Sequence, residues 1–401
     1  MKEKLIIRNF GPIKSVELEL GKITVLIGEQ ATGKSTIAKV LAVCRYFSFI
    51  TDVTNNLFHI ENLYFDVIFK DYGIQEYVND QSYFLYDCSD YKLEVTIVHD
   101  GEFLTNLDKN IQQPLLKFQP KIIEEKSEQF KLLIRELNKI KSKTNYGTIL
   151  TQYLSQNWSI PTTFLLNEVK EVMNNPFYFP TERGLQSIFS LGKDSIQNLS
   201  DSLFNQLSLL DKTYKNFQSE VEIGPLNIFY KYQNNQGFTR KKNEENFYPL
   251  RNGASGYQST IPIVLAIKYY TEVERRKRTF IVEEPELNLF PKSQKKLMEF
   301  FIENINLNGH SFLLPTHSPY FLSAINDLLI AYKKGQKNQS EVEKIIKKES
   351  WLNPDDLSVY ELKEGEALDI FDKKIGLIAD NIIDEVSDEM NDEFDDLLNV
   401  R

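Results

Sequence analysis

Apolar and polar positions change rhythm several times along the chain, and the changes mark its elements. Residues 4–27 run KLIIRNF, VELEL and KITVLI, which predicts two or three short strands with GPIK turning after the first. The last run is apolar and β-branched, as a strand buried on both faces must be. It leads into GEQATGKST and then a helical repeat, STIAKVLAVCRYF. Residues 48–175 are aromatic- and Asn-rich and poor in Gly; YFLYDC and KLEVTIV predict strands there, and 119–143 a charged helix. That helix sustains no apolar heptad, so it is not a long coiled-coil arm. FYFP (177–180) predicts a strand returning to the main sheet, and 184–220 a helical stretch. LNIFYKY and NFYPL predict a hairpin with the basic triplet RKK (240–242) in its loop.

A helix after RNGASGYQ, the strand TFIV, the helix SQKKLMEFFIENI, the strand SFLLP and a helix from THSPYF then alternate. The alternation predicts an α/β fold on a mixed, mostly parallel sheet. Residues 1–48 and 176–375 would form one head, 49–175 an inserted α+β lobe, and 376–401 an acidic helix or tail.

Composition narrows the class. With 41% hydrophobic and 26% charged residues, the 401-residue chain reads as globular rather than fibrous or disordered. No window reaches the roughly 18 apolar residues of a membrane span. MKEKLIIRNFGPIK is too polar for a secretory signal. Two cysteines, Cys44 and Cys88, make no disulfide or zinc framework, and the expected compartment is the cytoplasm. A formal net charge of −10 argues against whole-surface binding to nucleic acid but leaves room for a local basic groove. Nine carboxylates between Asp380 and Asp396 carry much of that charge.

Residues 28–35, GEQATGKS, fit G-x-x-x-x-G-K-[ST] between an apolar strand and a helix. Gly28 and Gly33 permit the tight turn that aims backbone N–H groups at one phosphate cluster, and Glu29, Gln30, Ala31 and Thr32 span it. The helix adds its positive N-terminal end. Lys34 is placed to reach the β- and γ-phosphates, the Ser35 hydroxyl to ligate Mg²⁺, and Thr36 to add a phosphate contact. TFIVEEPE (279–286) ends a buried strand in two glutamates, at the sheet edge where the first βα loop also lies. Glu283 is the candidate metal carboxylate and Glu284 the candidate general base. His317 ends the next strand within reach of a γ-phosphate. His59, His99 and His310 have no such context and read as structural.

The ordered set FGPI, GEQATGKST, a long insertion, ASGYQ, FIVEEPELNLFP and PTHSP resembles the ABC-type ATPases of the RecF/SMC/OLD group. More narrowly it is similar to short AAA-type ATPases of bacterial anti-phage defence, such as the ATPase subunits of the PARIS and Septu systems. The resemblance implies ATP and Mg²⁺ as ligands and an ABC-type head. It also implies a signature, Ser255, Gly256 and Gln258, that completes the site of a second subunit; Tyr257 stands where the family has its second glycine. His317 matches the switch histidine. Glu283 stands where such ATPases more often have Asp, and Asn288 and Phe290 also depart from the pattern. Arg183, ending FYFPTER, is a candidate phosphate contact or a structural salt bridge. Several glutamines compete for the Q-loop position.

Two functions follow. The first is an ATP-hydrolysing homodimer, or higher even-numbered oligomer, that regulates a separate nuclease or toxin effector; no nuclease-like cluster is evident after THSP. The alternative is a RecF-like DNA-binding ATPase of repair or recombination, drawing on RKK (240–242), RRKR (275–278) and the Lys-rich stretch 333–348. A transporter subunit fits neither the absent membrane span nor the size of the insertion.

Overall fold

Strands buried on both faces set the architecture. The computed structural model describes residues 3–54, 69–70, 72–88, 92–98, 102–108, 177–181, 210, 213–379 and 381–400. β1 (Glu3–Phe10), β2 (Ile13–Leu20) and β3 (Ile23–Gly28) lead into α1 (Lys34–Thr54). Then come β4 (Tyr83–Asp87), β5 (Lys92–Val98), β6 (Glu102–Asp108) and β7 (Phe177–Phe179). A separate four-stranded sheet holds β8 (Val221–Ile223), β9 (Ile228–Gln233), β10 (Gln236–Lys241) and β11 (Tyr248–Pro249). The predicted alternation follows as α2 (Ser255–Lys268), β12 (Thr279–Val282), α3 (Pro291–Asn308), β13 (Ser311–Pro315) and α4 (Pro319–Gly335). The short α5 (Gln339–Glu343), β14 (Leu357–Lys363), β15 (Glu366–Asp369), a small hairpin β16–β17 (Phe371–Asp372, Leu377–Ile378) and α6 (Ile382–Asn399) close the chain.

The main sheet has eleven strands in the order β6-β5-β4-β1-β2-β15-β14-β3-β13-β12-β7. β14, β3, β13, β12 and β7 form a parallel block. β1, β2, β4, β5 and β6 form an antiparallel wing. β4–β6 fall inside the interval 49–175 and extend this wing, so the boundary drawn at 48/49 is not a boundary of the sheet.

Alternation divides the block between two cores. On β3, Ile23, Val25 and Ile27 face the layer of α2, α3 and α4, whereas Leu26 faces the layer of α1. β12 repeats this, with Phe280 and Val282 on one side and Ile281 on the other. Phe280 stacks on Phe312 of β13 at 5.5 Å, and Phe312 on Phe301 of α3 at 4.8 Å, so large rings fill the space between sheet and helix.

One predicted feature differs. The hairpin turns at Asn234–Asn235, both left-handed (φ 51° and 58°), as a two-residue turn requires, so Arg240 and Lys241 lie on β10 rather than in the loop. β6 and the β14–β15 hairpin are additional. Of the predicted helices, 119–143 lies outside the described residues, as does most of 184–220.

His310 shows why one histidine is structural. Its Nδ1 accepts from the Arg278 amide (3.0 Å), so Nε2 carries the proton and donates to Thr271 Oγ1 (2.9 Å). Burial pushes its pKa down to about 4, and the nearby Arg278 guanidinium acts in the same direction. His59 and His99 lie outside the described residues. The unfolded chain takes up the His310 proton near pH 6.5, while the folded chain resists until about 4. Stability is therefore expected to fall as pH drops through that window, by roughly 3 kcal/mol in all from this residue. Urea unfolding at stepped pH should show a shallower decline between pH 6.5 and 4 in His310→Gln than in the parent protein.

Candidate functional site

The parallel block brings the C-terminal ends of β3, β13 and β12 side by side, and the candidate residues emerge there. After β3 the backbone takes positive φ at Gly28 (143°), Ala31 (61°) and Gly33 (102°) before α1 begins at Lys34. A Cβ on Gly28 would sit 2.5 Å from the Leu362 carbonyl oxygen of β14, so the loop is pressed onto its neighbouring strand. Thr32 Oγ1 donates to the Glu29 carbonyl (2.9 Å) and closes the turn. Lys34 is buried, and its ammonium donates to the carbonyls of Gly28 (2.8 Å) and Glu29 (2.6 Å). Burial lowers its pKa to about 8, against the opposing pull of Glu284, Glu286 and Glu283. Ser35 is exposed and Thr36 buried; Glu29, Gln30 and Ala31 are exposed.

The acidic pair is fixed by backbone bonds that continue the ladder. The Glu283 amide donates to the Phe179 carbonyl (2.9 Å) and the Glu284 amide to the Pro315 carbonyl (2.8 Å). Glu284 has φ 42°, a strained position for a residue with a Cβ, of the kind that collects at functional sites. Its neighbour Glu283 is buried and accepts from the Tyr178 hydroxyl at 2.7 Å. Glu286 accepts from the His317 amide at 2.8 Å, tying the loop after β12 to the end of β13, and burial raises its carboxyl pKa. Burial lowers the His317 pKa; the Lys34 charge acts in the same direction and Glu284 against it. Lys34, Glu283, Glu284 and His317 thus share one electrostatic neighbourhood.

The start of α2 packs on the loop that follows the acidic pair. Ser255 is exposed at the start of α2, and Gly256 packs so closely that a Cβ would lie 2.6 Å from the Asn288 carbonyl oxygen. Ser259 Oγ donates to the Leu287 carbonyl (2.9 Å). The Gln258 amide is committed to the turn before α2, donating to the carbonyls of Arg251 and Gly253 (both 3.1 Å). Tyr257 is half-buried and packs against the core. Asn288 adopts φ 61° and Phe290 is 76% exposed. Arg183 lies outside the described residues.

Two residues escaped the sequence reading. Tyr178 hides between two phenylalanines, and only the register that pairs it with Ile281 puts it on the face of Glu283. Glu286 is visible in EEPE, but its bond to His317 depends on the parallel pairing of β12 with β13.

The donor set suits a hard cation. Ser35 could offer a hydroxyl and Glu283 one carboxylate, a set that would fit Mg²⁺, a cation that commonly fills its remaining positions with phosphate oxygens and water. Among the described residues, no three His, Cys, Asp or Glu gather into a metal cage. None of the described helices is long and apolar enough to cross a membrane.

A protein-family model described as "AAA ATPase domain" matches residues 1–158 and 54–322. Among solved structures, the chain is similar to the SMC head domain from Thermotoga maritima, with 10% identity over 92% of this chain and 98% of that one (TM-score 0.39). It is also similar to an Smc head bound to the C-terminal winged-helix domain of ScpA, with 9% identity over 93% and 98% (TM-score 0.41). A third is an Smc head with an extended coiled coil bound to the C-terminal domain of ScpA derived from Pyrococcus furiosus, with 11% identity over 92% and 95% (TM-score 0.41). No curated protein matches the chain.

Gly28→Ala should lower stability by about 2–4 kcal/mol, because the new methyl meets a backbone carbonyl and the residue keeps a positive φ. Gly376→Ala, also at positive φ (77°) but with nothing within 4 Å, should cost only about 1 kcal/mol. Chemical unfolding of the two variants side by side checks the difference.

Proposed function

This chain belongs to the AAA ATPase domain family, and we propose that it binds Mg-ATP at the loop before α1, hydrolyses it, and assembles through ATP into dimers that regulate a separate effector in anti-phage defence. The observation that carries the ATPase reading is the convergence of the Lys34 ammonium with Glu283, Glu284 and His317.

Each residue then has a role. The amides of residues 29–34 and the positive end of α1 receive the phosphates. Lys34 neutralises charge on the β- and γ-phosphates, and Ser35 and Glu283 would hold the cation, which would supply Lewis-acid polarisation of the transferring phosphoryl group. Glu284 accepts a proton from water as the water oxygen bonds to the γ-phosphorus and the bond to the β-phosphate oxygen breaks, leaving ADP and phosphate. His317 donates a hydrogen bond to the γ-phosphate. Ser255 and the first amides of α2 receive the γ-phosphate held by the partner subunit.

An effector is favoured over DNA by charge pairing and by α6. Arg240, Lys242 and Lys241 face Glu220 (2.8 Å), Glu222 (3.2 Å) and Glu244 (3.0 Å), which blunts the RKK cluster as a phosphate-binding surface. In the stretch 333–348, Lys344 pairs with Glu341 and Lys347 with Glu303. α6 has no Lys or Arg; Val386, Met390, Phe394 and Leu397 lie exposed along one side and carboxylates along the other. Such a helix suits a protein partner and repels a nucleic acid.

In Glu284→Gln, ATP turnover should fall by about 10²–10⁴-fold while ATP binding persists. Light scattering should then report an ATP-dependent dimer or larger even-numbered assembly, unchanged by short duplex DNA. Unaltered turnover removes Glu284 from its role, and assembly only with DNA favours the repair-type ATPase.

A further inference from the structure

Glutamate is an awkward choice for a metal carboxylate at the end of β12. It has one more rotatable bond than aspartate, so its carboxylate samples more positions and loses more freedom when it is fixed. The structure contains a device that removes this freedom. Tyr178, buried at 5% exposure, donates its hydroxyl to Glu283 Oε1 at 2.7 Å, and Glu283 itself is 4% exposed. The tyrosine is held in turn. It pairs with Ile281 in the β7–β12 ladder, and its ring meets that of Tyr72 edge-on at 5.4 Å and 72°. The same strand fixes the other end of Glu283, whose amide donates to the Phe179 carbonyl at 2.9 Å. β7 is the last strand of the sheet and pairs with β12 alone among the described strands.

We propose that Tyr178 is a positioning residue for the cation: by holding Oε1 it orders the longer carboxylate, so that Glu283 and Tyr178 act as one unit. The proposal rests on the reading of Glu283 as the metal ligand. Hydrogen bonds to ligating carboxylates of this kind commonly change metal affinity by about 10–100-fold. Tyr178→Phe keeps the ring, its contact with Tyr72 and the ladder, and deletes only the hydroxyl.

The test is a double-mutant cycle on metal affinity. Mn²⁺ binding in the presence of ADP is read by electron paramagnetic resonance for the parent chain, Tyr178→Phe, Glu283→Asp and the double variant, with ADP affinity in EDTA and melting temperature as controls. Tyr178→Phe should weaken Mn²⁺ about 10-fold, raise the Mg²⁺ concentration for half-maximal ATPase activity in step, and leave turnover at saturating Mg²⁺ and ADP affinity in EDTA unchanged, with a melting temperature that drops modestly for the lost bond to a buried carboxylate but shows one cooperative transition. In the Glu283→Asp background, where the carboxylate is withdrawn by one carbon from the hydroxyl, Tyr178→Phe should change Mn²⁺ affinity less than 2-fold. Equal weakening in both backgrounds, or none in the parent, overturns the proposal. A parent chain that takes up no Mn²⁺ with ADP overturns the reading of Glu283 itself, a separate result.

Discussion

A buried ammonium needs negative charge close by, and Lys34 is the group around which this molecule is arranged. Two loop carbonyls accept its protons, and three glutamates from the loop after β12 favour its charge although burial opposes it. Those groups come from positions in the sequence 250 residues apart, and only the strand order brings them together. β13 lies between β3 and β12, so the loop after β3 and the loop after β12 flank the end of β13, where His317 emerges. A change in that order would strand the cation among carbonyls alone. The strand order and register of the block are therefore a condition of the site, because they fix where the charges end.

Around this centre the loops are tied to one another. Glu286 bonds the His317 amide, Ser259 bonds the Leu287 carbonyl, and Gly256 rests against Asn288. The start of α2, the loop after the acidic pair and the end of β13 are thus tied directly to one another. The positive φ values at Glu284 and Asn288 place strain in that same loop, where a small shift changes geometry most.

Much of this was legible in the chain. TFIV and SFLLP coincide with β12 and β13, and the loop GEQATGKS sits between β3 and α1 as expected, because apolar runs, glycines and a helical repeat each act over a few residues. What escaped notice depends on distant partners. β14, LSVYELK, carries Ser358 and Glu361 and does not resemble a buried strand, yet it pairs with β3 along its length. Glu361 is tolerated there because its carboxylate accepts from the Ile382 amide at the start of α6 (2.9 Å). The turn after β14 uses Glu364 and Gly365 at positive φ, a weaker hairpin signal than Asn-Gly. Arg240 and Lys241 belong to β10 because the two-residue turn at Asn234–Asn235 lets the ladder with β9 run as far as Lys241, a pairing that the basic triplet itself does not signal.

The charge balance has a bearing on how such a chain attracts an anion at all. It holds 57 acidic and 47 basic residues, a sum that would repel ATP from a uniform sphere. The excess is not uniform. Eight of the carboxylates lie on α6 without a single Lys or Arg to offset them, which leaves the rest of the chain near neutrality. Fields from exposed charges fade within about 8–10 Å at physiological salt, whereas the loop before α1 would act on a phosphate at contact distance through amides and the buried Lys34 ammonium. Segregating the acidity onto one helix therefore lets the molecule keep the net charge that favours solubility while the phosphate site feels mainly its own loop.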